Sequence, residues 1–124
     1  MIHNYDRIKQ VHDFSGLEIG DKIRPSDIDY VLERNNNTLL IGEGKLIGMP
    51  LTMGQRLTIE SIVNNYLSNG GRAFGCVYEH NVPHHESVMV ARCQVRSIYV
   101  ERQWKTVLKP YTMLELQKYV FNYR

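Results

Sequence analysis

The 124-residue sequence lacks the features that mark several large classes of protein. It contains no internal repeat and no apolar run near the roughly 20 residues that a membrane-spanning helix requires. Its first residues have neither the basic start nor the apolar stretch of a secretory leader, so we expect a cytoplasmic protein with no membrane partner. Its only two cysteines, Cys76 and Cys93, exclude a disulfide scaffold and favour free, partly buried thiols.

The sequence also carries little excess charge of one sign. Its formal net charge is +2 at pH 7, whereas a protein that coats DNA is usually more basic. The charges are unevenly distributed: residues 1–90 hold 8 Lys or Arg and 11 Asp or Glu, and residues 91–124 hold 7 and 2. Small proteins often show such an asymmetry. It also fits an enzyme that holds a metal with carboxylates and a polyanion with cations.

The remaining composition is that of an ordinary folded domain, with 43% hydrophobic and 23% charged residues. The length suits one hydrophobic core, so we predict a single domain over residues 1–124. The order of periodic segments predicts an α/β or α+β fold with a central mixed β-sheet flanked by helices. The predicted segments begin with a weak helix at Tyr5–Phe14, a strand at Ile28–Glu33 that extends back to Ser26 or Asp27, and a strand at Thr38–Ile47, with a hairpin turn at Asn35–Asn37 between the two strands. They continue with a helix from Thr52 to Asn69, strands at Arg72–Glu79 and Ser87–Val100, a turn or short strand up to Leu108, and a helix at Thr112–Asn122.

Two pairs of charged residues are candidates for chemistry. Asp27 and Asp29 lie two apart where the first predicted strand begins, so strand alternation places them on one face. Glu43 and Lys45 share a face of the next predicted strand for the same reason. If the two strands are neighbours, the carboxylates converge beside an ammonium group. Such a set suits Mg²⁺ or Mn²⁺, with waters completing the coordination.

A simpler interpretation of these residues is also open, because exposed strands carry Glu and Lys as a solvated face and Asp is common in turns. However, Glu43 and Lys45 lie within an otherwise apolar run, Leu39–Ile47, where a charged pair is costly unless it is used or paired. Gly42 and Gly44 alternate with them and leave the backbone open to close approach by another group.

Three segments carry a resemblance to a known family: Arg24–Tyr30 (RPSDIDY), Ile41–Lys45 (IGEGK) and Gly54–Arg56 (GQR). Together they resemble the active-site core of the PD-(D/E)XK nuclease superfamily. They are most similar to its small members in phages and prophages and to archaeal Holliday-junction resolvases. The likeness covers residues 24–67 well and the order of elements to about residue 100 loosely. It implies a restriction-endonuclease-like core.

The resemblance also implies a role for each matching residue. Asp29 and Glu43 would bind Mg²⁺ or Mn²⁺, and Asp27 is either the true first ligand or a residue behind the ligands. Lys45 would be the catalytic lysine, and Gln55 would orient water or phosphate. The sequence departs from the family pattern at three positions, of which the first two blur the choice between the two aspartates and the third bears on whether the site is active. These positions are Ser26, Tyr30 and Gly42.

Gln55 has a second interpretation that needs no catalysis. Thr52 and Gln55 have the spacing of a capping box, in which the two side chains satisfy free backbone N–H groups at a helix start. Helical geometry also turns Gln55 toward the side of Ile59 and Ile62, which faces the sheet. The two roles are compatible.

The sequence thus favours a metal-dependent endonuclease that hydrolyses DNA, with a role in junction resolution, recombination or repair. We expect a homodimer, a phage or prophage origin, and phosphate contacts by the cations that follow. These are Arg56, Arg92, Arg96, Arg102 and Lys105. The alternative is a nuclease-fold protein without catalysis that acts as a nucleic-acid-binding, protein-binding or inhibitory factor.

Overall fold

The computed structural model describes residues 13–20, 25 and 27–124, which form an α+β fold with a five-stranded mixed sheet and two helices. The predicted helix at Tyr5–Phe14 lies almost entirely outside the described residues. The elements are β1 (Tyr30–Arg34), β2 (Thr38–Leu46), α1 (Met53–Ser68), β3 (Arg72–His80), a short 3₁₀ helix (Val90–Arg92), β4 (Gln94–Val100), β5 (Gln103–Thr106) and α2 (Met113–Phe121).

The strands lie side by side in chain order. Only β2 and β3 are parallel, and α1 makes the connection between them. The other neighbours are antiparallel. The predicted hairpin between β1 and β2 is confirmed: Asn35 and Asn36 both have positive φ, at 53° and 57°, as tight hairpin turns require.

The sheet separates two hydrophobic cores. Alternate residues of β2 point to opposite faces, so Leu39 and Ile41 pack against α1 while Leu40 packs against α2. The contacts from α1 are Ile59 and Val63, one helical turn apart. The first six residues of β2, Thr38 to Glu43, are therefore buried, so a charge in that stretch has little contact with water.

Both helices begin and end as the sequence predicts. Thr52 caps α1 and Thr112 caps α2, and each forms a complete capping box with the third residue of its helix. Asn122 ends α2 in the left-handed conformation that a helix cap often takes. The two cysteines are free and buried, as predicted.

The long strand predicted at Ser87–Val100 is wrong in its first half. Residues before Gln94 form a loop and a 3₁₀ turn, and Met89 is 62% exposed. The physical reason is the lack of a pairing partner, because the β3–β4 ladder ends where Glu79 meets Gln94. Alternating hydrophobicity does not keep a segment extended without a neighbouring strand.

A bulge in β4 also breaks the predicted alternation. Val95 pairs with Tyr78 and Ser97 pairs with Val77, so Arg96 is an extra residue between two ladder pairs. Val95 therefore faces α2, and Ser97 faces α1 although strict alternation puts both on one side. The bulge brings Arg96 and Ser97 to the α1 face beside β3.

A substitution at Gly42 measures how tightly β2 packs against its neighbours. A Cβ there would lie 2.5 Å from the Cys76 sulfur, so we expect Gly42→Ala to lower the free energy of unfolding by about 1–3 kcal/mol. The control is Gly54→Ala in the first turn of α1, where a Cβ meets nothing within 4 Å and should be neutral or stabilising. Urea unfolding measures both. Equal effects of the two changes would contradict the packing argument.

Candidate active site

Asp29 and Glu43 meet where β1 begins beside the second half of β2. The Gly44 backbone N–H donates to Asp29 Oδ2 at 2.8 Å, and the Asp29 N–H donates to Glu43 Oε1 at 3.4 Å. Each carboxylate thus accepts a backbone N–H from the part of the chain that holds the other acidic residue. The predicted meeting of Glu43 with a carboxylate from the preceding segment is confirmed for Asp29, which lies just before β1 rather than within it.

The placement of Asp27 and Asp29 on one strand face is wrong, because β1 begins only at Tyr30 and both residues precede it. The reason is local: the Asp29 carboxylate takes the Gly44 N–H, so a side-chain bond replaces the next bond of the ladder. Asp27 is exposed, and within the described part of the chain it has no hydrogen bond or ion pair to Glu43. The structure brings Asp29, and not Asp27, to the site.

Glu43 is a buried carboxylate, only 4% exposed, on a strand that is otherwise apolar. Burial, followed by the negative charge of Asp29, raises the pKa of Glu43 to about 8, and Lys45 acts in the opposite direction. The carboxylate is therefore held in a place where its charged form is disfavoured. A group in that position needs a compensating cation or a proton.

Gln55 contacts Glu43 from the start of α1. Its side-chain oxygen accepts the Thr52 N–H at 3.2 Å, which completes the capping box, while its Nε2 donates to Glu43 Oε2 at 3.1 Å. The predicted cap is confirmed, and the same amide reaches the site. The capping bond fixes the orientation of the amide, so its N–H group points at the carboxylate.

Lys45 lies two residues after Glu43 on the same strand, so its side chain leaves the same face of the sheet. It is partly exposed, and its positive charge lowers the pKa of Glu43. Its strand neighbour Glu79 is engaged elsewhere, by Arg96 at 2.9 Å. Among the described residues Lys45 makes no ion pair within 4.0 Å, so its ammonium group is available to a ligand.

Tyr78 is a neighbour of the site that the sequence analysis missed. Its ring packs over Gly44, where a Cβ would lie 2.6 Å from the ring, and its hydroxyl pKa is raised by burial and then by the charge of Asp29. Gly42 faces Cys76 in the same way. The two glycines of IGEGK were the available signal, since glycine within a buried strand marks a close approach.

The predicted phosphate-binding cations do not form one surface. Arg56 and Arg96 lie on the α1 face near Glu43, whereas Lys105 pairs with Ile98 and so projects toward the opposite face. Arg102 bonds Ser68 at the far end of α1, and Arg92 is in the exposed 3₁₀ turn. The two remote positions follow from the loop before β4 and the turn after it.

Arg96 has a structural contact on each of its guanidinium nitrogens. It donates to Glu79 Oε2 at 2.9 Å, to the Met49 carbonyl at 2.6 Å and to the Leu46 carbonyl at 3.2 Å. Leu46 ends β2, and Met49 belongs to the connection between β2 and α1. Arg96 therefore holds the segment that separates Lys45 from Gln55.

A pocket of about 500 Å³ opens on the α1 face next to this site. Its position follows from the register, because Val77 is the β3 neighbour of Glu43 and Ser97 is the β4 neighbour of Val77. Paired residues point to the same face of a sheet. The residues that line the pocket include Arg56, Val77, Arg96, Ser97, Trp104 and Thr106.

The candidate site offers few oxygen ligands to a divalent cation. Asp29 and Glu43 supply two carboxylates, and Mg²⁺ is commonly held by one or two carboxylates with waters and substrate phosphates. Within the described ranges no cluster of three or more His, Cys, Asp or Glu residues could hold a metal. A dedicated cage of protein ligands is thus not seen there, and the pair fits a hydrated ion.

Comparison of the chain with models of known families, with curated proteins and with solved structures found no match. Neither helix in the described part of the chain has the length and apolar character needed to cross a bilayer.

The raised pKa of Glu43 predicts an unusual dependence of the free energy of unfolding on pH. Since its pKa is higher in the folded state, the folded protein binds more protons between about pH 4.5 and 8, and stability falls as the pH rises through that range. Glu43→Gln should flatten the profile and gain about 1–3 kcal/mol at pH 8 in the presence of a chelator. Urea unfolding at several pH values measures this, with exposed Glu86→Gln as the control. Parallel profiles for wild type and Glu43→Gln would refute the assignment.

Proposed function

We propose that the protein is a metal-dependent endonuclease that hydrolyses DNA phosphodiester bonds. One observation carries the proposal: the buried Glu43 carboxylate on β2 meets Asp29, which lies just before β1, with Gln55 bonded to Glu43 and Lys45 on the same strand face. Glu43 is a buried carboxylate beside the exposed carboxylate of Asp29, an arrangement that is costly unless a cation or a proton compensates it. The arrangement is thus better explained by binding than by stability.

The proposed architecture is a restriction-endonuclease-like core of the PD-(D/E)XK type. In support, β2 carries Glu43 and Lys45, Asp29 lies just before its hairpin partner β1, and α1 follows with the glutamine in its first turn. Gly42, which departs from the family pattern, has a packing explanation in the Cys76 side chain. That departure therefore does not count against an active site.

Each residue has a task in the proposed reaction. Asp29 and Glu43 would hold Mg²⁺ or Mn²⁺, which when bound supplies Lewis-acid polarisation of the scissile phosphate. Gln55 fixes the Glu43 carboxylate through its capped amide. Lys45 orients the attacking water and offsets the negative charge that develops on the phosphate oxygens. Tyr78 keeps the Gly44 backbone, and with it Asp29, in place by packing.

DNA is the proposed substrate because cations flank the acidic pair on the α1 face. Arg56 is largely exposed there and is suited to phosphate contact, whereas Arg96 is engaged in holding the β2–α1 connection. A chain of 124 residues is too small to surround a duplex, so we propose a homodimer that addresses two strands. A phage or prophage origin and action in the host cytoplasm are parts of the same proposal.

Metal binding is the first test. Mn²⁺ should raise the melting temperature of the wild type by several degrees, since about 2.7 kcal/mol is gained at a hundredfold excess over Kd. Asp29→Asn and Glu43→Gln should abolish this shift, whereas Asp27→Asn should keep it. Differential scanning fluorimetry measures the shift, with Ca²⁺ and Mg²⁺ in parallel. An equal shift in the Glu43→Gln variant would place the ion elsewhere.

Cleavage is the second test. The purified protein is incubated with Mg²⁺ or Mn²⁺ and labelled single-stranded, duplex, flap and four-way-junction DNA. Asp29→Ala, Glu43→Ala and Lys45→Ala should each reduce the cleavage rate by about 10²-fold or more while the fold persists by circular dichroism. Glu86→Gln, on an exposed loop, is the control. Full activity in any of the three alanine variants would remove that residue from the site. Binding of DNA without cleavage would favour a non-catalytic binding factor.

A further inference from the structure

The pocket on the α1 face is continuous with the proposed active site. A row of paired residues crosses the sheet from Glu43 through Val77 and Ser97 to Thr106. Neighbouring strands lie about 4.8 Å apart, so the pocket begins one strand away from the acidic pair and extends over two further strands. Its volume of about 500 Å³ is in the range of small-molecule sites, which is about 300–1,000 Å³.

One carboxylate fixes two walls of this pocket. Glu60 Oε2 accepts the indole N–H of Trp104 at 2.7 Å and the Arg56 Nε–H at 2.8 Å. The Trp104 ring also packs against Tyr99, with the ring centres 5.2 Å apart. An aromatic ring and a guanidinium group are thereby held side by side at the pocket. Ser97 and Thr106 add hydroxyl groups to the lining.

We propose that the pocket binds one unpaired nucleotide next to the scissile phosphate. Trp104 contacts the face of the base, Arg56 contacts a phosphate, and the Ser97 and Thr106 hydroxyls contact the edge of the base or the sugar. This inference rests on the proposed nuclease function and names its substrate class. Stacked, paired bases offer only their edges in the grooves, so a pocket for a base requires a strand that is single or locally unpaired.

The chain provides its own probe, because Trp104 is its single tryptophan. In the Glu43→Gln background, which should not cleave, Trp104 fluorescence is titrated with 5′-phosphorylated tetrathymidylate and with a blunt, fully paired DNA hairpin. We expect saturable quenching by tetrathymidylate with a Kd at least about tenfold lower than that of the hairpin. No quenching, or equal quenching by the hairpin, would overturn the proposal.

Two further variants locate the binding. Arg56→Gln should raise the Kd of tetrathymidylate about tenfold, whereas Lys109→Gln removes one positive charge outside the pocket and should leave it unchanged. Equal weakening by both changes would mean non-specific attraction and would overturn the pocket.

The readouts keep this inference separate from the proposed function. Cleavage of DNA by the wild type without a response of Trp104 in the titration would refute the pocket and leave the nuclease assignment standing. Quenching in the Glu43→Gln background, with no cleavage of any DNA by the wild type, would support the pocket and refute the nuclease.

Discussion

The structure depends on how the sheet accommodates a buried carboxylate on β2, one of its interior strands. Glu43 lies on β2, whose first six residues are buried, and its charged form has little water to solvate it. The protein supplies two hydrogen-bond donors, the Gln55 amide and the Asp29 N–H, and places a second carboxylate beside them. The donors stabilise the negative charge and the second carboxylate opposes it. Under the proposed function, a bound cation would offset the negative charge that the second carboxylate adds.

Several contacts around Glu43 fix the positions of the groups that surround its carboxylate. The capping box fixes the Gln55 amide, and the three bonds of Arg96 fix the connection that leads into the same helix. Tyr78 packs on Gly44 from the opposite face of the sheet and so supports the backbone N–H that Asp29 accepts. If the site is catalytic, as proposed, it needs such support, because small displacements of a reacting group reduce rates strongly. The bonds of Arg96 are therefore best understood as support for the site.

Most of the fold was predictable from local patterns. The helix caps at Thr52 and Thr112, the asparagine turn and the buried strand β2 each follow from residues close together in the chain. The errors lie where pairing or a side chain competes with the local pattern. Ser87–Cys93 has no neighbouring strand, and Asp29 exchanges a ladder bond for a side-chain bond. In the candidate site, Glu43, Lys45 and Gln55 could be predicted, and Asp29 only as one of two aspartates, whereas the contacts of Tyr78 and Glu60 depend on the tertiary structure.

The sequence by itself determined the order of the elements, the acidic pair with its lysine, and the small net charge, because these depend on residue type and short spacing. Tertiary structure alone decided which aspartate meets Glu43, since this depends on where β1 stops pairing. It also decided that Lys105 faces away from the site, while a one-residue bulge turns Ser97 toward it. A one-residue bulge moves every later side chain of its strand to the opposite face of the sheet, and the hydrophobic pattern of the sequence does not reveal where it occurs. The physical reason is that register and bulges are set by the neighbouring strand.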